Sequence, residues 1–202
     1  MNTASTPTVP LTRLTPGRRA LLLTLLLFIL PVAVGGGLFY FDWRPSSTGN
    51  HGELITPPRP MPVAMLEQKN NNPDTAASIK GKWLLLIAGN GICDQACVQL
   101  ARQARAIQVS LNRDMGRMRR VVLNSGASPA LSELQAEQPD LIVAEASPEW
   151  LAGLGIDTTT QSPQRLFLVD PAGNLMMQYA PGAEPKGIRA DLERLLKYSW
   201  IG

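Results

Sequence analysis

The sequence predicts an α/β domain, a mixed sheet with helices on both faces, standing behind one N-terminal membrane-spanning helix. Three observations predict it. Ala20–Phe41 (ALLLTLLLFILPVAVGGGLFYF) runs for 22 residues without a charge. The later periodicities read β-α-β-α and then β-β-α, a parallel unit followed by an antiparallel hairpin and a closing helix. Between the last two strands stands Asp170-Pro171-Ala172-Gly173-Asn174, which is strong hairpin chemistry.

The apolar run comes first. A 22-residue helix is about 33 Å long, enough for a hydrocarbon core of ~30 Å. Arg18 and Arg19 precede it, Asp42 follows, and Tyr40 and Trp43 fall at the level of an aromatic belt. The expected boundaries are a cytoplasmic tail 1–19, a transmembrane helix 20–41, an extended periplasmic tether 42–77 and a folded domain 78–202. The positive-inside rule puts the tail in the cytoplasm and the C-terminal part outside. A cleaved signal peptide is the alternative. Ala20–Val34 is long for its apolar region, and Ala33-Val34-Gly35 is a weak cleavage site. Pro31 and Gly35–Gly37 weaken the helix, and the glycines equally suit a helix end near the outer surface.

Charge and composition exclude several functions. The chain has 202 residues and a formal net charge of +3. Residues 1–41 carry Arg13, Arg18 and Arg19 and no acid, so the excess sits in the tail and the remainder is balanced. A high isoelectric point is then no argument for nucleic acid, and no nucleic-acid partner is expected. Two cysteines and one histidine exclude a multi-cysteine zinc module and a disulfide-dense scaffold. The only histidine, His51, stands in the tether, which leaves no Ser/His/Asp set. Gly89-Asn90-Gly91 lacks the Lys-Ser/Thr of a phosphate loop.

Residues 44–75 are rich in Pro, Asn, Ser and Thr and read as a tether, with one short strand around Glu53–Ile55. Trp83–Ala88 (WLLLIA) is a continuous apolar run, a strand buried on both faces. A helix is expected from about Asp94 to Leu111, with Cys97, Leu100, Ala101, Ala104, Ile107 and Leu111 on one face. Arg120–Asn124 reads as a second strand. Pro129–Glu137 suits a short helix, with Ser128 as its cap and Pro129 at its first position. Leu141–Ala144 is another strand, and Pro148–Leu154 a helical turn. Arg165–Val169 and Leu175–Tyr179 flank the hairpin turn. Pro185–Tyr198 closes the domain as an amphipathic helix through Ile188, Leu192, Leu195 and Leu196.

Cys93-Asp94-Gln95-Ala96-Cys97 is the constellation that carries chemistry. It sits where a buried strand ends and a helix begins. Backbone amides and the helix dipole favour negative charge there, which makes Cys93 the expected nucleophile. Asp94, an acid beside it, opposes that effect. Cys97 is one turn on, so the sulfurs can meet. A structural disulfide is one alternative, although closing so short a loop contributes only about 2 kcal/mol. Two buried thiols acting as small apolar side chains are another, which an oxidising exterior disfavours.

The chain resembles the Sco/SenC family, membrane-anchored copper-binding proteins of the thioredoxin superfamily associated with cytochrome c oxidase assembly. The resemblance rests on Gly81-Lys82 before the first domain strand, Cys93 and Cys97 at the helix start, and Leu168-Val169-Asp170-Pro171-Ala172-Gly173 in the hairpin. It covers about residues 78–198, and it implies a thioredoxin-like fold, a bacterial inner-membrane location and a periplasmic domain. It also implies copper(I) as a candidate ligand of Cys93 and Cys97. The family's third copper ligand is a histidine, and this chain has Ser162 at that place. His51 folding back, or Met176 and Met177, would have to replace it, and packing is the ordinary role of Met115, Met118 and the hairpin methionines. In thioredoxin-like folds a cis-proline packs against the cysteines just before this strand. The resemblance therefore implies a cis bond at Ser162–Pro163, against an ordinary strand-entry proline.

Arg102, Arg105, Arg113, Arg117, Arg119 and Arg120 lie close together in sequence, with Asp114 the lone acid among them. They read as a docking surface for an acidic partner or anionic lipid, or as a solvated helix face. Three functions are open. The resemblance implies an accessory factor for oxidase assembly, exchanging thiols with oxidase subunits or other assembly factors. The others are copper(I) delivery and a non-catalytic docking scaffold.

Overall fold

The computed structural model describes residues 15–43, 49–63, 66 and 79–201. The tail up to residue 14 and half of the expected tether lie outside the described residues. The chain divides into two compact units, Met1–Thr48 and Gly49–Gly202.

The first unit contains helix α1 (Pro16–Tyr40), with Thr15 at its N-cap. It starts four residues before the uncharged run because Pro16 occupies the first helical position, where its fixed φ is already helical. The helix passes through Pro31 and through Gly35–Gly37, so these glycines do not end it. It is long and apolar enough to cross a membrane.

The second unit is a six-stranded mixed sheet. Its strands are β1 (Glu53–Pro60), β2 (Trp83–Ala88), β3 (Met118–Asn124), β4 (Ile142–Glu145), β5 (Arg165–Val169) and β6 (Asn174–Tyr179). Their spatial order is β1-β6-β5-β2-β3-β4. β2, β3 and β4 run parallel, while β5 returns antiparallel to β2 and β6 to β5. The helices are α2 (Gln95–Ser110), α3 (Pro129–Glu137), α4 (Pro148–Gly153) and α5 (Pro185–Tyr198), and a 3-10 segment spans Asn112–Arg117.

Alternation along the strands divides the apolar residues between two faces. Leu85 and Ile87 of β2 pack with Ala101 of α2, Leu131 of α3 and Ile188 of α5. Leu84, Leu86 and Ala88 face the other way, onto Trp150 and Leu151 of α4. Every residue of β2 is buried, as its continuous apolar run predicts. Burying each of Leu84–Ile87 is worth roughly 1.5–3 kcal/mol.

β1 is longer than the sequence suggests. In place of a tether with a strand of three residues, Glu53–Pro60 forms an eight-residue edge strand antiparallel to β6. Pro57, Pro58 and Pro60 are tolerated because an edge strand has one side free of ladder bonds. The Thr56–Pro57 bond within it is cis.

The segment leading into β1 is fastened to α5. The buried Asp191 carboxylate accepts the His51 N–H at 2.9 Å and the Gly52 N–H at 2.9 Å. His51 Nδ1 lies 3.3 Å from the same carboxylate. Gly187 makes this approach possible, since a Cβ there would stand 2.7 Å from His51 Cγ. Burial, and then the Asp191 charge, push the neighbouring Tyr179 phenol well above its ordinary range.

Asp191→Ala is expected to lower the unfolding free energy of the detergent-solubilised chain by about 2–3 kcal/mol, because two backbone N–H groups lose a charged acceptor. His51→Ala, which leaves both backbone bonds, is expected to cost under ~1 kcal/mol. Urea unfolding followed by the fluorescence of buried Trp83 and Trp150 measures both. Equal losses would show that the imidazole holds the segment.

Candidate functional site

The cysteine pair is placed by three elements. β2 ends at Ala88, and the loop from Gly89 carries the chain to α2, which begins at Gln95. Asp94 is the N-cap, its side chain accepting the Cys97 N–H at 3.0 Å. The acid between the cysteines thus starts the helix. Cys93 and Cys97 form a disulfide, with their Cα atoms 5.2 Å apart.

The β3–α3 connection clamps the backbone of Cys93. Its N–H donates to Asn124 Oδ1 at 2.7 Å, and its carbonyl accepts the Ser128 hydroxyl at 2.6 Å. Asn124 is the last residue of β3, and its amide also donates to the Gly126 carbonyl. Ser128 Oγ accepts the Leu131 N–H at 3.2 Å, so the cap of α3 also grips the cysteine loop. Sequence reasoning found the cap and missed both grips. The available signal was a polar Asn ending an otherwise apolar strand.

The disulfide is buried, with Cys93 2% and Cys97 0% exposed, and both belong to the core on the α2 face. A groove of about 720 Å³ runs beside it, lined by Cys97, Asp94, Asn90, Gln103, Ser162 and Gln164. Cys93 is not part of this lining.

Ser162 and Pro163 lie where the resemblance implied, beside the cysteine loop, but the expected cis bond does not form. Among the described residues the cis bond is Thr56–Pro57 alone, and Ser162–Pro163 is trans. The Ser162 N–H donates to the Asn90 carbonyl at 3.1 Å. Its hydroxyl accepts the Asn90 N–H at 3.0 Å. The Asn90 side chain reaches the Thr160 carbonyl at 2.8 Å. These bonds dock the loop in the ordinary trans form. Gly89 permits the approach, because a Cβ there would meet the Ser162 carbonyl oxygen at 2.8 Å.

The donor set does not fit a three-ligand copper site. Two sulfurs are present, but Ser162 offers a hard hydroxyl already bonded to Asn90, and His51 is engaged by Asp191 on α5. Met177 is buried in the core, where Met176 packs against it. Among the described residues no three His, Cys, Asp or Glu side chains stand together.

The arginines scatter. Arg102 pairs with Glu137 at 3.1 Å and Arg105 with Asp140 at 3.7 Å. Arg113 is exposed. Arg117 bonds Asp114 and the backbone carbonyls of Leu196, Ser199 and Ile201 at the end of α5. Arg119 bonds local carbonyls. Arg120 is 1% exposed and donates to Gln108, Gln138 and Asp140.

The family described as transmembrane-like, thioredoxin-like, C-terminal domain matches residues 83–199. Similar solved structures include the copper-bound ScoI of Arabidopsis thaliana, at 15% identity and TM-score 0.48, covering 61% of this chain and 89% of that one. The copper-bound ScoI of Bradyrhizobium japonicum is similar at 15% identity and TM-score 0.42, covering 58% and 87%. A thiol:disulfide interchange protein of the thioredoxin family from Chlorobium tepidum TLS is similar at 20% identity and TM-score 0.40, covering 61% and 83%. The Sco proteins expected from the sequence thus stand among the structural neighbours. No curated protein sequence matches the chain.

Asn124→Ala is expected to lower the stability of the oxidised protein by about 1–3 kcal/mol, because the buried Cys93 N–H loses its acceptor. Asn124→Asp keeps that acceptor and should lose less. Denaturant unfolding under non-reducing conditions decides between them.

Proposed function

The chain belongs to the transmembrane-like, thioredoxin-like C-terminal domain family, and from that premise we propose that it is a membrane-anchored thiol–disulfide exchange protein. The observation that carries this reading is the Cys93–Cys97 disulfide at the start of α2, its backbone gripped by Asn124 and Ser128. A disulfide across so short a loop contributes only about 2 kcal/mol of chain-entropy stabilisation, little for a brace.

In the proposed cycle the reduced pair acts as a two-electron donor. The Cys93 thiolate, at the positive end of α2, attacks one sulfur of a partner disulfide. A Cys93–partner bond forms and the partner's second sulfur leaves as a thiolate. The Cys97 thiolate then attacks Cys93 Sγ. The intramolecular disulfide closes, and the partner departs as a dithiol.

The anchor is α1, with Arg18 and Arg19 holding its N-terminal end in the cytoplasm. The domain then faces the periplasm, an oxidising compartment that suits a disulfide. In this reading the protein is a bacterial inner-membrane accessory factor. It keeps the copper-ligand cysteines of cytochrome c oxidase, or of another assembly factor, reduced. The Sco resemblance supports that assignment. Copper delivery by this chain itself is disfavoured by its donor set, which stops at two sulfurs.

Trapping tests the exchange reading. Cys97→Ser should accumulate a mixed disulfide through Cys93 with an oxidised dithiol peptide, seen as one added mass on a non-reducing gel. Cys93→Ser should accumulate far less. Because the groove is lined by Cys97, the reverse pattern would make Cys97 the attacking residue. Trapping by neither variant, with function surviving replacement of both cysteines by serine, would reduce the protein to a scaffold.

A further inference from the structure

Among the described residues of the sheet-bearing unit, the most exposed large apolar side chains gather at the C-terminal end of α5. Trp200 is 100% exposed, Tyr198 72% and Ile201 64%. They are not carried on a loose strand. Arg117 holds the segment with three bonds, to the carbonyls of Leu196 at 2.9 Å, Ser199 at 2.7 Å and Ile201 at 3.0 Å. One guanidinium thus fixes a turn whose aromatic and aliphatic side chains point into solvent.

Beside this turn cations outnumber acids, Arg113, Arg117 and Lys197 against Asp114 and Glu193. A groove lined by Leu111, Arg113, Leu196, Lys197 and Trp200 adjoins it. The acids along the groove are Asp114, bonded to Arg117, and Glu193, bonded to Arg189. Among the described residues neither Arg113 nor Lys197 is paired with an acid, and the Lys197 ammonium lies over the Tyr198 ring, 5.7 Å from its centroid. Tryptophan, tyrosine and a large aliphatic flanked by Arg and Lys make up the composition of a membrane–water interface.

Connectivity points to the same occupant. Gly49 is the first residue of the unit, and its carbonyl accepts a bond from Arg194 at 2.8 Å. Arg194 stands one helical turn before Tyr198, about 6 Å along α5. Eight residues, 41–48, separate α1 from Gly49 in sequence. The chain therefore enters this unit beside the exposed turn.

We propose that Tyr198, Trp200 and Ile201, with Arg113 and Lys197, rest on the anionic headgroup layer of the membrane that α1 spans. This inference rests on reading α1 as an uncleaved anchor. It orients the domain with the end of α5 toward the lipid.

The test uses the full chain reconstituted into vesicles of phosphatidylglycerol and acyl-brominated phosphatidylcholine. In a Trp43→Phe chain, Trp83 and Trp150 are buried in the two cores, so Trp200 reads the surface. Its emission should fall on bromination, and the fall should vanish in the Trp43→Phe/Trp200→Phe chain. It should also shrink when neutral lipid replaces phosphatidylglycerol. A Trp200→Phe chain that keeps Trp43 reads the anchor. Quenched Trp43 with unquenched Trp200 overturns the surface and leaves the anchor standing. Neither quenched overturns both. A Trp200 shielded from aqueous acrylamide but untouched by bromine overturns the lipid assignment and gives the surface to a protein, such as a second copy of this chain.

Discussion

Everything in the sheet-bearing unit is referred to β2. It is buried on both faces and hydrogen-bonded on both edges, with β3 parallel on one side and β5 antiparallel on the other. A strand without a solvent face has no freedom to slip, because a shift by one residue would exchange its two apolar faces between two differently shaped cores. The end of β2 is therefore a fixed point, and the cysteine loop starts from it. Gly89 lets the Ser162–Gln164 backbone close against that end. Asn124, at the end of the neighbouring strand, takes the Cys93 amide. The site is held by the ends of three adjacent strands rather than by one loop.

What was legible in the sequence follows from where each element's information lies. β2, β5 and α3 were readable to their terminal residues because their signals are local: a continuous apolar run, a turn sequence, and a Ser cap followed by Pro. β1 was not. Its prolines speak for extension without pairing, and its partner β6 lies more than a hundred residues away. The prolines are permitted because the strand is at an edge, which is a fact of topology. The Asp191 clamp on His51 and Gly52 was invisible for the same reason. The trans bond at Ser162 was missed differently, because the fold's usual geometry was carried over without the Asn90–Ser162 bonds that dock the loop here.

The arginines show how little charge density in sequence says about charge in space. Arg120 looks like its neighbours, yet it alternates inward on β3 and is spent on Gln108, Gln138 and Asp140. Burial would raise the Asp140 carboxyl. The hydrogen bond and charge of Arg120, the residue's own amide and the charge of Arg105 outweigh it and hold the group below its ordinary range. The sign follows from linkage: this contribution is present above the ordinary value of 3.8 and is lost as pH falls through the folded value. Asp140 is more than half exposed, so the contribution is small. Arg117 is committed to the turn after α5. The six cations thus resolve into one core strut, Arg120, two surface pairs through Arg102 and Arg105, Arg119 on local carbonyls, the turn-holding Arg117 and the exposed Arg113.

Burial of the disulfide sets the terms on which the site can react. With Cys93 2% and Cys97 0% exposed, the proposed attack by an incoming thiolate requires the loop around Ile92 or the groove wall at Cys97 to open first. The free energy of that opening adds to the barrier of every exchange. A small reductant and a cognate protein then differ in kind. The reductant waits for spontaneous opening, whereas a partner that binds the groove better when it is open shifts that equilibrium by its differential affinity. The clamp on Cys93 bears on the same step. Asn124 and Ser128 hold main-chain atoms, not sulfur, so breaking the disulfide removes neither bond. The fold thereby separates the part of the loop that must move, the side chains, from the part that keeps its place, the backbone. In the proposed exchange, selectivity for a partner would then rest on access rather than on the reactivity of the sulfurs.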